Sequence, residues 1–317
     1  MTATHHSASP SDSEHGHTKA VSHVLKKISS VLIAVVFAVA LGGCAARHLI
    51  VRSLGDELAK QSSAAEEDPI LARDAAAFYL KLSESLLAEM PDNARLAESV
   101  ASGFTQYAYA FVAFEADKME AKDSKAAVKL RERAAKLYRR ANTHAMKALE
   151  LQSPGFSKAL GSSTVTGQPR LSPDNVGLAY WAAASWGGMI SLSKDDPDIV
   201  ADLPNAMRLA GMAWALQPDY GQGDLSVLMG NFEASRPGGS AAKAAAYFDR
   251  ALAATGGRSM AALMAQAENL ALPADNRASF ESLLRRVIEL SSSERGLSAV
   301  IAKERAQWLL DSAEDLF

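Results

Sequence analysis

The chain has 317 residues, 48% of them apolar and 22% charged, with a formal net charge of −3. That length supports one large or two ordinary domains with a true core, and the composition is too apolar for a disordered tail. Near-neutral charge gives no global attraction to nucleic acid, and the single cysteine excludes a disulfide framework and any multi-cysteine metal site.

The N-terminus carries the first clear signal. A polar stretch ends in Lys26-Lys27 and is followed by an apolar run, Ile28 to Leu41, then Gly42, Gly43 and Cys44. Fourteen apolar residues fall short of the roughly 20 that a hydrocarbon core requires. A basic flank, a short apolar stretch and small residues ahead of a cut site make a secretory signal over residues 1–43. LGGCA resembles a bacterial lipobox, with cleavage between Gly43 and Cys44 and lipid on the Cys44 thiol. Such chains anchor the protein by burying methylenes worth ~0.8 kcal/mol each. The reading is therefore a membrane-anchored lipoprotein that faces the periplasm. Ala45 in place of Asp permits sorting to the outer membrane in Gram-negative bacteria. Residues 44–66 form a lipidated tether, and residues 67–317 the folded body.

From Pro69 onward the pattern is helical, with no convincing period-2 strand. A first helix runs from Pro69 to about Met90, with Phe78, Leu82, Leu86 and Leu87 at helical spacing, until Pro91-Asp92-Asn93 breaks it. A long second helix is expected over about 94–121 and a third over about 124–151. A loop spans Gly161 to Pro169, and Ser172-Pro173-Asp174 opens the next helix as a cap.

Offsets of four, three and three then recur. They collect Ala206, Ala210, Ala213 and Leu216; Ala244, Phe248, Ala251 and Ala254; Phe280, Leu284, Val287 and Leu290; and, more loosely, Ala141, Ala145, Ala148 and Leu151. Those offsets keep small or apolar residues on one helix face. They resemble the second helix of a tetratricopeptide repeat, where small residues let paired helices approach closely. The expected fold class is all-α: stacked antiparallel helical hairpins in a tetratricopeptide-like superhelix.

Two aromatic groups are candidates for function. Phe104, Tyr107, Phe111 and Phe114 form one stripe of the second helix, a spacing that equally suits core packing. Gln106 and Tyr109 sit off it, where the helix could line a groove. Tyr180, Trp181 and Trp186 precede Gly187-Gly188, and two glycines inside a helix point to close helix approach or a cavity wall. The basic run Lys129, Arg131, Arg133, Lys136, Arg139 and Arg140 reads as a solvated face or an anion-docking surface. The acidic loop Lys194–Pro204 lacks the convergent oxygens a metal site needs and reads as a cap on the next helix. His144 reads as structural or exposed. No nucleophile elbow, phosphate loop or Cys/His pair occurs, so neither catalysis nor a cofactor is expected.

Several runs carry a family resemblance. EDPILARDAAAFYLKLSESLLAEMPDNARL (67–96), GFTQYAYAFV (103–112), LAYWAAASWGGMISLSKDDPDIVADLP (178–204), AYFDRALAATGGR (246–258) and RAQWLLDSAEDLF (305–317) resemble the TatT family. These are the lipoprotein T components of tripartite ATP-independent periplasmic (TRAP) transporters. The resemblance implies a homotrimer and association with the periplasmic solute-binding (P) component, and through it with the permease. It also implies a hydrophobic cavity that receives an apolar or organic-acid ligand, with the runs holding Phe104, Gln106, Tyr107, Tyr109, Phe111, Tyr180, Trp181 and Trp186 facing the cavity or the partner. The rival expectation is a helical-repeat lipoprotein scaffold in envelope assembly or secretion. A weaker one is a lipid or hydrophobic-ligand carrier that acts alone.

Overall fold

Helix starts are set by side-chain caps that satisfy otherwise orphaned backbone N–H groups. In the computed structural model, which describes residues 66–162 and 169–317, Asp68 accepts from the N–H groups of Ile70 and Leu71 and opens α1 (Pro69–Glu89), with Pro69 in its first turn. Asn93 caps α2 (Ala94–Ala108), which passes through a π-helical turn (Tyr109–Ala113) into α3 (Phe114–Met119). Asp123 caps α4 (Ser124–Gln152), and α5 (Phe156–Leu160) comes next. Ser172 caps a 3-10 turn, Pro173–Asn175, that feeds α6 (Val176–Leu192). The lipidation and cleavage positions Gly43 and Cys44 lie outside the described residues.

The second half continues the pattern. Asp196 caps α7 (Pro197–Val200) through the N–H groups of Asp198 and Ile199, so the acidic loop has a capping role. Then come α8 (Leu203–Leu216), a tight turn (Tyr220–Gly223), α9 (Asp224–Ser235) and α10 (Ala241–Ala254). Next are α11 (Met260–Gln266), a second π-helical turn (Ala267–Ala271), α12 (Arg277–Ser291), α13 (Leu297–Asp311) and α14 (Ala313–Leu316). Among the described residues there is no strand, and the fold is the all-α array of helical hairpins expected from the sequence.

The recurring offsets mark the buried seams. Ala206, Ala210 and Ala213, then Ala244, Phe248 and Ala251, then Phe280, Leu284 and Val287 are all fully buried, as are Ala141 and Ala145. The fourth member of each set is not: Leu151 is 50% and Leu216 42% exposed, because each stands at a helix end where the partner has turned away. Burying a Phe or Leu side chain is worth about 1.5–3 kcal/mol, so Phe248, Phe280 and Leu284 are principal anchors of the C-terminal half.

The most extensive pairing joins α4 to α6, and the two glycines of α6 explain it. A Cβ on Gly188 would stand 2.7 Å from the Tyr138 ring of α4, and one on Gly187 would stand 2.9 Å from Phe232 of α9. The glycines thus let α6 pass closely between its neighbours. The array also closes on itself. The penultimate helix α13 packs against α1, and Trp308 of α13 meets Phe114 of α3 edge to face at 5.8 Å.

Candidate functional site

The first π-helical turn decides where the aromatic residues of α2 go. Such a turn inserts one extra residue and rotates the helix beyond it. Phe104, Tyr107 and Phe114 are buried, at 3%, 9% and 2% exposure, but Phe111 is left half-buried against Tyr107 at 5.4 Å. The four therefore do not form one stripe. Phe104 stacks on His144 with Arg140 over its ring, and Gln106 is exposed and donates to Ser102 Oγ at 2.7 Å. Both Arg140 and His144 hold Glu84, which ties α4 to α1. Of the basic run, Arg131 pairs with Glu120 and Arg140 with Glu84.

Tyr109, the first residue of the π turn, has a different fate. It keeps 44% of its surface exposed, yet desolvation raises its hydroxyl pKa. Arg305 of α13 sits 5.6 Å from the Tyr109 ring centroid and 5.5 Å from that of Phe114. Its guanidinium donates to Asp117 at 3.1 Å and, with two nitrogens, to Glu268 at 3.1 and 2.7 Å. Desolvation opposes the cation, but the two carboxylates hold it firmly protonated. Sequence reasoning misses Arg305 and Glu268, because only chain closure brings positions 109, 117, 268 and 305 together.

A second group lies along α6. Gly177, Tyr180 and Trp181 share one face of that helix, and the carboxylate of Glu98 from α2 rests where a Gly177 side chain would be. The rings of Tyr180 and Trp181 lie 4.8 Å apart at 71°, and those of Tyr180 and Tyr220 lie 5.2 Å apart at 49°. Tyr220 donates its hydroxyl hydrogen to Glu98 at 2.9 Å. Asp224 stands on the first turn of α9, and its charge reaches both Tyr180 and Tyr220. Burial raises the pKa of Glu98, and it pushes Asp224 up to about 6 although that side chain remains open to solvent.

The turn that delivers Tyr220 and Asp224 has its own cause. Gly223 adopts φ +98°, and a Cβ there would meet the Ala251 backbone at 2.8 Å, so glycine is required. Ser226, fully buried, accepts from Trp214 Nε1 at 3.2 Å and donates to the Pro218 carbonyl at 3.0 Å, pinning both ends of the turn. Trp186 stands half-buried farther along α6, beside the glycine pair and apart from the Tyr180 group. The face of α6 from Gly177 to Gly188 spans roughly 16 Å at 1.5 Å per residue, so one helix links the two groups. A separate depression of about 590 Å³ between α12 and α13 is lined in part by Arg277, Glu281 and Arg285, where the Glu281 carboxylate pairs with both guanidinium groups.

These features define a class: a closed all-α array of helical hairpins with two half-buried aromatic clusters, and, among the described residues, no group of three or more metal-ligating side chains. Residues 65–317 match the model of the TRAP transporter T-component family (TAtT), and the chain belongs to that family. A protein of Treponema pallidum (strain Nichols), described only as uncharacterized, is 26% identical over 262 residues, which cover 80% of this chain and 81% of the relative. Family membership gives the chain a role in TRAP transport, in association with other transporter components, and this is not an enzyme class. It also fits a membrane-associated periplasmic role, while among the described residues no helix is long and apolar enough to cross a membrane.

Proposed function

We propose that this T component docks a periplasmic solute-binding protein and helps pass a small ligand with an apolar body to the TRAP permease. The observation that carries the reading is the family match across the whole helical body, residues 65–317. The aromatic side chains Tyr180, Trp181 and Tyr220, and separately Tyr109, leave part of their surface open and suit an apolar ligand body. An organic-acid ligand is less well served near Glu98 and Asp224, where its charge would meet like charge.

The working form is a lipid-anchored homotrimer, tethered through Cys44 to the outer membrane and facing the periplasm. Self-association is supported by α1, which buries Leu80 and Leu87 inward but leaves Ile70, Leu71, Phe78 and Tyr79 at 64%, 56%, 68% and 46% exposure. Large apolar side chains clustered on one exposed helix mark a contact surface.

In-cell cross-linking of the tagged, lipidated protein followed by mass spectrometry tests the docking. A solute-binding protein should be recovered, with or without its permease. Recovery of envelope-assembly or secretion factors in its place would assign the chain to a scaffold role instead. Light scattering of the detergent-solubilised protein tests the trimer, and a monomer at micromolar concentration would overturn it.

A further inference from the structure

Helix α4 carries eight basic side chains against two acidic ones, in a chain whose formal net charge is −3. Its buried seam runs through Ala127, Ala134, Tyr138, Ala141 and Ala145. On the opposite side, roughly 180° around the helix at 100° per residue, stand Lys125, Lys129, Lys136 and Lys147, flanked by Arg133 and Arg139. All six are exposed. The stripe spans roughly 33 Å at 1.5 Å per residue, and Glu132 is the acidic residue within it.

Among the described residues none of these six cations forms an ion pair. Several arginines elsewhere are paired: Arg250 with Asp219, Arg258 with Glu294, and both Arg277 and Arg285 with Glu281. Within the stripe, Lys125 and Lys129, and again Lys129 and Arg133, stand four residues apart, a spacing at which like charges repel along a helix. Lys125 also lies in the first turn, where the helix dipole disfavours a cation. The arrangement weakens the isolated helix, and an anionic surface outside the chain would relieve it.

We propose that this stripe lays the protein against an anionic lipid surface, with phosphate-bearing head groups as its partners. The composition of the stripe decides the partner. Protein interfaces are depleted in Lys and anchored by aromatic side chains. This stripe has four Lys to two Arg and no aromatic ring, and the only large apolar side chain exposed between Lys125 and Lys147 is Val128. Lys and Arg beside a membrane are drawn to anionic lipid charge by charge, with no shaped pocket, and a straight row suits a flat surface. That attraction falls off within about 8–10 Å at ordinary salt, so it acts on a body already held at the bilayer. For that setting the proposal rests on the reading of Cys44 as a lipid anchor, whereas the charge of the stripe is independent of it.

The test is lysine acetylation, mapped by mass spectrometry, on the unaltered full-length protein mixed with vesicles. One set is phosphatidylcholine alone, and in the other about a third of the lipid is phosphatidylglycerol. At ~0.1 M salt Lys125, Lys129, Lys136 and Lys147 should react about 3-fold or more slowly on the anionic vesicles, relative to the exposed Lys243 of α10 and Lys303 of α13. The difference should vanish near ~1 M salt, where charges are screened within about 3 Å. Reversing two charges, Lys129→Glu with Lys136→Glu, should remove the protection of Lys125 and Lys147. Equal rates on the two kinds of vesicle overturn the proposal, as does protection shared by Lys243 and Lys303. In-cell cross-linking of the stripe lysines to an acidic protein would also overturn it. The comparison between vesicles is made on the unaltered protein, so it stands even if the variant fails to fold. The mass of the peptide holding Cys44 separates this surface from the anchor. Stripe protection with a bare Cys44 would retain the surface and remove the anchor, and a lipidated Cys44 without protection would do the reverse.

Discussion

Arg305 and Asp117 are 188 residues apart in the chain and 3.1 Å apart in space. Through that contact, and the paired one to Glu268, the penultimate helix locks onto α3 and turns an open stack of hairpins into a closed one. Only 13% of the Arg305 side chain is exposed. Replacing it by Leu leaves two carboxylates facing each other without a cation. Breaking a buried pair costs about 3–5 kcal/mol, so the midpoint of thermal unfolding should fall by on the order of 10 °C. Arg305→Lys should recover only part, because a point charge cannot serve Asp117 and the two oxygens of Glu268 at once. An Arg305→Leu variant that melts with the unaltered protein would show that the closure contributes nothing.

The α4–α6 interface makes a second prediction. Gly188→Ala places a methyl 2.7 Å from the Tyr138 ring, which is itself 5% exposed and has little room to move. Overpacking of this kind costs about 1–3 kcal/mol, more than the roughly 1 kcal/mol that Ala gains over Gly in a helix. Urea unfolding should show a lower midpoint for Gly188→Ala, and Tyr138→Leu in the same chain should restore part of it. By contrast, Gly211→Ala meets nothing within 4 Å and should stabilise.

Acid titration separates the clamp at Glu84. Desolvation would raise its pKa, but hydrogen bonds from Arg140, Lys81 and His144 outweigh it and bring the carboxyl down to about 2 from an ordinary 4.5. A depressed carboxyl contributes stability that is fully present above its unfolded value and is lost as pH falls toward the folded one. The α1–α4 contact should therefore weaken between pH 4.5 and about 2. Glu84→Gln should lower the melting temperature at pH 7 and flatten its fall across that window; parallel curves for the two proteins would exclude the clamp as the source.

Asp224 carries the opposite sign. Burial raises it from an ordinary 3.8 to about 6, so its contribution is fully present below 3.8 and is lost as pH rises through 6. Asp224→Asn should raise the melting temperature at pH 7.5 by on the order of 2–4 °C, a modest figure because the side chain is partly screened by solvent, and should leave it unchanged near pH 3.5. A destabilised variant at pH 7.5 would mean that the carboxylate is needed by the fold. A stabilised one would show that the carboxylate charge opposes the folded state.

Helix positions are legible in the sequence because their causes are local. Asp68, Asn93, Asp123, Ser172 and Asp196 each cap the turn beyond them, and the offsets of four and three fall on buried seams such as Ala206, Ala210 and Ala213. The glycine pair at 187 and 188 signals close approach for the same reason, since a missing side chain is visible in one letter. The fate of Phe111 is not legible, because a π-helical turn departs from the regular period of 3.6 on which the aromatic stripe depends. Nor is the Tyr180 group readable as a unit. Tyr180 and Trp181 stand out, but Glu98, Tyr220 and Asp224 join them only through packing of α2, α6 and the turn before α9. Arg305 lies within a run that signals membership of a family, with no local pattern to mark it as the residue that closes the array.

The two π-helical turns, Tyr109–Ala113 and Ala267–Ala271, bring side chains from their opening residues to the same guanidinium: Tyr109 lies against it, and Glu268 binds it. In genetic terms, each turn is a place where one codon more than a regular helix needs has been kept. Deleting a single codon within either would leave a sound α-helix but swing every later residue by about 100° around its axis. The helix content would survive such a deletion while the ring came open, so both turns tolerate substitution far better than a change of length.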